Sequence, residues 1–141
     1  QEMPFTGNVV SIFPALANDF FVFYNVLGQG KISLYSKVSN GLTYTFPSSL
    51  SGKILSVTAV SETVFLLGTE NGIYKFNYSP QNYTLFKAGI KASQLVYDPV
   101  TSQVLAAEGK QFYAYDINSG LLVQSKAAAD TIVDIDPYYN R

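Results

Sequence analysis

A chain that carries near-copies of one segment has to build each copy in much the same way. Laying TVFLLGTENGIYKFNYSPQNYTLFK, 63–87, over QVLAAEGKQFYAYDINSGLLVQSK, 103–126, sets Phe65 on Val104 and Tyr74 on Tyr113, both at an offset of 39. Phe76 then falls on Tyr115 and, without a gap, Val57 on Val96. A looser copy lies upstream in FFVFYNVLGQGKISLYSKVSNGLTYTF, which sets Phe21 against Phe65 and Ile32 against Ile73 at offsets of 44 and 41. Downstream, ADTIVDIDPYYNR echoes SQLVYDPVTSQ, with Asp136-Pro137 lying 38 residues beyond Asp98-Pro99.

Each copy has one internal grammar: an apolar run, a polar corner, a strand, a tight turn, a strand, a second corner and a last strand. Val, Ile, Phe, Tyr and Thr fill the runs, and Gly, Asn, Asp and Pro bound them, which is strand and turn chemistry. The second copy is expected to form ILSVTAV, TVFLLGT, GIYKFNY and YTLFKA, with Asn71-Gly72 supplying positive φ at its central turn. The third should form SQLVYDP, QVLAAEG, QFYAYDI and LLVQSKA, with Asp116 capping a corner that Gly120 closes. No stretch reads as a helix; SKAAADTIV comes nearest and is too short to stand alone. The expected fold is therefore all-β, with antiparallel four-stranded units of about 40 residues that read as blades of a β-propeller, about three blades plus a strand. Approximate repeats run over 9–53, 54–91 and 92–130, and another starts at 131–141. A β-sandwich with accidental self-similarity is the alternative.

Closed propellers have four blades or more. The three expected here are read as the N-terminal part of a larger propeller, with self-assembly through open blade faces as the competing explanation. VVSIFPALANDFFVFYNVL, 9–27, is the most hydrophobic segment, but Pro14, Asn18 and Asp19 interrupt it, so it reads as two strands rather than a membrane span. The start QEMPF has neither an initiator Met nor the layout of a signal peptide, and the expectation is that a secretory signal was removed before Gln1.

Composition removes several chemistries. The 141 residues include no Cys, His or Trp, which excludes thiolate nucleophiles, imidazole relays and His/Cys zinc sites within the chain. With 9 Lys plus Arg against 10 Asp plus Glu, the net charge is −1, so no global field draws nucleic acid or an anionic membrane. Any catalysis would fall to carboxylates, Tyr or Lys.

FLLGTENGIYKFN resembles the repeat of the two-component-regulator propellers. Leu66, Leu67, Gly68, Thr69, Asn71, Gly72, Ile73, Tyr74, Lys75 and Phe76 follow that pattern in order, although the Trp common in that family is absent. Glu108-Gly109 and the stretch 116–120 are more similar to quinoprotein-type or YVTN-type blades, in which YD-x-x-x-G joins the last two strands. The likeness covers 54–130 best. It implies a bacterial propeller module, periplasmic or on the cell surface, that acts as a sensor ectodomain or scaffold.

Few residues point to a site, and each has a plainer reading. Asp134 and Asp136 stand two apart on one strand and share a face, the arrangement for holding a calcium ion with help from carbonyl oxygens. The plainer reading is a strand end with a turn-forming Asp-Pro. Tyr138, Tyr139 and Arg141 follow a break and form the candidate binding surface, against the reading of an untied chain end. The GTENG turn has no basic neighbour and no following helix, so it reads as a hairpin turn rather than a phosphate cradle. Of two sequons, Asn77-Tyr78-Ser79 is followed by Pro80 and is poor; Asn82-Tyr83-Thr84 makes Asn82 a glycosylation site only in a secreted eukaryotic chain. The sequence thus leads to a non-catalytic extracytoplasmic module that binds a protein or ligand, with no cofactor, nucleic acid or membrane insertion. The alternatives are a piece of a propeller enzyme with a central-channel site, and a structural subunit of a surface assembly.

Overall fold

Runs such as FFVFY at 20–24 are apolar on both sides of a strand and call for sheets covered on both faces. The computed structural model, which describes residues 7–15, 19–36, 38, 41–46, 50, 52–78, 81–132 and 135, folds them in this way. The described residues form twelve strands and no helix. Asn8–Pro14 (β1), Asp19–Val26 (β2), Gln29–Ser36 (β3) and Gly41–Phe46 (β4) make the first sheet. Ile54–Ala59 (β5), Val64–Thr69 (β6), Gly72–Tyr78 (β7) and Gln81–Ala88 (β8) make the second. Gln94–Asp98 (β9), Gln103–Glu108 (β10), Gln111–Asp116 (β11) and Leu122–Ala127 (β12) make the third. Each sheet is an antiparallel meander in which strands adjacent in sequence are adjacent in space. No helix among the described residues is long and apolar enough to cross a membrane.

The hairpin turns follow local chemistry. Val26 pairs with Gln29, leaving a two-residue loop in which Leu27 (φ 51°) and Gly28 (φ 78°) both adopt the left-handed backbone that matches strand twist. At the β6–β7 turn Gly72 has positive φ (156°) and Asn71 does not, so the expected pair of positive-φ residues is reduced to one. The buried Thr69 holds this turn: its Oγ1 donates to the Gly72 carbonyl at 2.8 Å and accepts the Asn71 N–H at 3.2 Å.

The three sheets stack in series. Phe21, Phe23 and Ile32 of the first meet Phe65, Leu67 and Phe76 of the second. The Phe65 ring centroid lies 5.1 Å from both Phe21 and Phe23, and 5.3 Å from Phe13, in edge-on or tilted geometries that aromatic quadrupoles favour. The other side of the second sheet, with Leu66 and Ile73, is covered by Leu95, Val104, Ala106 and Tyr115 of the third. β5 comes close to β1, β2 and β3, and β9 to β5 and β6, whereas no Cα atoms of the last strands β4, β8 and β12 lie within 8 Å of one another. The sheets therefore fan out from their first strands.

Polar groups and glycines lock both seams. Asn25 mimics a piece of β-ladder, donating from Nδ2 to the Ile54 carbonyl at 2.8 Å and accepting the Ile54 N–H at 2.7 Å. The Gly30 N–H donates to the Gly52 carbonyl at 3.0 Å, and a Cβ on Gly30 would come 2.6 Å from Ile54 Cγ1. In the second seam Ser56 Oγ donates to the Ala92 carbonyl at 2.8 Å, and Thr58 Oγ1 accepts the Tyr97 N–H at 3.0 Å. Gly68 lets this approach happen, since a Cβ there would run into Ser56 Oγ and come 2.6 Å from the Ala92 carbonyl.

Register corrects two expected equivalences. The offset of 39 holds through the middle strands: Phe65 pairs with Phe76, Val104 pairs with Tyr115, and all four side chains face the preceding sheet. It fails in the first strand. Val57 pairs with Leu67, but Leu95, not Val96, pairs with the matching Ala106, and Val96 sits opposite Leu105 on the other face. The cause is turn length: residues 60–64 separate Ala59 from Phe65, while the longer run 98–103 separates Tyr97 from Val104. One added residue moves a strand's side chains to the opposite face unless the register slips with it. Likewise Phe21 and Phe65 point in opposite directions, into the first seam from its two sides. With Ile32 set on Ile73, the β2–β3 hairpin runs two residues further on each strand, and Phe20 takes the place of Phe65. Phe20 stacks on Tyr35 at 5.4 Å, as Phe65 stacks on Phe76 at 6.5 Å.

Candidate functional site

Two of the chain's carboxylates have structural roles. Asp98, 4% exposed, accepts the Val100 N–H on Oδ1 at 3.0 Å and the Thr101 hydroxyl on Oδ2 at 2.8 Å, closing the β9–β10 turn. Asp116 Oδ2 accepts the Ser119 N–H at 2.8 Å, the Ser119 hydroxyl at 3.0 Å and the Asn118 N–H at 3.0 Å. Gly120 (φ 72°) ends the same turn and donates to the Asp116 carbonyl, as its sequence position leads one to expect. These bonds, the backbone one from Ser119 foremost, hold the Asp116 carboxyl below its ordinary pKa.

A cation and an aromatic ring meet at the second seam. Lys87 Nζ lies 5.1 Å from the Tyr115 ring centroid and donates to the Gly120 carbonyl at 3.2 Å, tying β8 to the β11–β12 turn. Burial, followed by the neighbouring Tyr113 and Glu108, raises the Tyr115 pKa. The hydroxyl therefore stays protonated at neutral pH.

Of the candidate residues, Asp134, Asp136, Tyr138, Tyr139 and Arg141 lie outside the described residues. Among the described residues no three Asp or Glu side chains gather where they could hold a metal ion. Asn82 is exposed on the edge strand β8 and pairs in register with Asn77, and its sequon partner Thr84 is also exposed.

The most unusual surface is one that sequence reasoning passed over. Leu121, Leu122 and Val123 are 68%, 50% and 54% exposed in succession, and every residue of the edge strand β12 is exposed. The signal was present in LLVQSKA, because the apolar half has no polar alternation and a strand covered on one face would show it. The seam residues Asn25, Gly30, Ser56, Thr58 and Gly68 were also passed over as contacts between sheets, since each looks like ordinary strand or turn content.

No protein-family model matches the chain, and no curated protein matches it.

Proposed function

We propose that the three sheets are consecutive blades of a β-propeller, and that the chain is a non-catalytic module of an extracytoplasmic protein that binds a protein or ligand. The blade reading rests on the splay, with β1, β5 and β9 close in series while β4, β8 and β12 stay apart, the geometry of wedges around an axis. A second sheet covered on both faces favours blades over a two-sheet sandwich, which has no middle layer. A closed ring needs four blades or more, so these three would be joined by sheets from further polypeptide or from further copies.

The functional part rests on side-chain chemistry. The chain has no His or Cys, and Asp98 and Asp116 are committed to turns. Such a module sits naturally in the periplasm, on the cell surface or in secretion, where the resembling repeats occur. A thermal-shift screen with calcium, simple sugars and a quinone tests the reading. Stabilisation by a sugar or calcium without any effect of quinone is the expected result. Stabilisation by quinone would replace it with a propeller enzyme whose central channel holds the cofactor.

A further inference from the structure

β12 differs from the other fully described edge strand that closes a sheet. β8 presents the polar Gln81, Asn82 and Thr84 to solvent and a single exposed large apolar residue, Leu85. β12 and the residue before it present Leu121, Leu122 and Val123, and the only charge in 121–127 is Lys126 at the far end. The register shift opposite Ala114 and Tyr115 confines the irregularity to Val123, leaving Gln124, Ser125, Lys126 and Ala127 in a regular ladder. Ala128 N–H donates to the Lys110 carbonyl at 2.7 Å. By the two-residue alternation of an antiparallel ladder, the main-chain groups of Lys126 and Gln124 then turn toward β11, and those of Ser125 and Ala127 turn outward.

We propose that β12 pairs with β12 of a second copy of this chain, antiparallel across a twofold axis, so that the two third sheets become one eight-stranded sheet. The strand is self-complementary. With the axis at Gln124, Ser125 of one copy lies opposite Val123 of the other, and Lys126 lies opposite Leu122. The two lysines then stand about 13 Å apart along the strand, so no like charges meet. Val123 of the two copies meet diagonally beside the axis, and Leu122 of each copy is covered by the aliphatic stem of the partner's Lys126, so a single patch on each chain is covered by an isologous contact. This inference does not depend on the ring reading, because it uses an edge rather than a blade face.

Light scattering of the purified chain over a range of concentrations tests it, with circular-dichroism melting to check each variant's fold. The wild type should rise toward twice the 15.5 kDa chain mass. Val123→Lys charges an exposed site, and Ser125→Pro removes an outward N–H, so both should fold and stay at the mass of one chain. A wild type that is monomeric at every concentration would overturn the proposal, and so would one that grows without limit. A dimer that survives both folded edge variants but is lost in Phe112→Asp would also overturn it, placing the contact on the face of the third sheet.

Discussion

Leu27 holds a left-handed backbone at φ 51° with its side chain 102% exposed, so it combines a steric penalty with apolar surface in water. Asn tolerates that backbone and is at home in such a turn, so Leu27→Asn should stabilise the chain by about 1 kcal/mol in urea titration. A loss of stability would mean that the Leu27 side chain packs against something. Asp116 makes a prediction about pH. Its folded-state pKa is held below the ordinary 3.8 by the bonds from Ser119 and Asn118, so folding favours the ionised form. The resulting stability is present above the unfolded-chain pKa and is lost as pH falls through the folded value. Asp116→Asn should therefore lower Tm at neutral pH, and the gap from wild type should narrow below about pH 4. A gap that stays constant down to pH 2 would show that the charge contributes nothing.

Each seam between sheets is held by a few polar anchors within an apolar contact. Asn25→Ala leaves the Ile54 N–H and carbonyl without their side-chain partner, and a cost of about 1–3 kcal/mol in chemical denaturation is expected. Asn25→Asp should cost more, because a carboxylate would face the Ile54 carbonyl that the amide now serves. The corrected register also ranks two neighbours. Leu95, 5% exposed in the second seam, should not tolerate Asp, whereas Val96, on the partly open far side of the third sheet, should tolerate it better. Equal melting temperatures for Leu95→Asp and Val96→Asp would contradict the assigned faces. Strand positions were legible in the sequence because β-branched and aromatic runs end at Gly, Asn and Asp, and β5 to β12 start and end within two residues of the runs that predict them. The faces of the first strands were not legible. A turn longer by one residue leaves the composition unchanged yet reverses the side, and only pairing with Leu67 and Ala106 separates Val57 from Val96.

At the scale of the whole molecule, everything depends on how the three sheets sit relative to one another. Repeated order and alternating apolar faces are shared by many ways of layering sheets, so neither reveals the splay in sequence. The splay comes from the close approach of β5 and of the residues leading into β9 to the preceding sheet, where Gly30 of β3 and Gly68 of β6 have no Cβ and Asn25, Ser56 and Thr58 bond across the seams. Because the chain has no Cys, pairs of spin labels can be introduced at chosen positions without removing native thiols. Lys53 and Lys91 are exposed and occupy matching places just before β5 and β9, while Thr84 and Gln124 are exposed at matching places on β8 and β12. Electron-electron distance measurements, with labelled protein diluted in unlabelled chain, compare the two pairs directly. Blades fanning from a common axis require the 53–91 separation to be clearly shorter than the 84–124 separation. Equal separations, as in flat parallel layers, or a shorter outer pair would contradict the account.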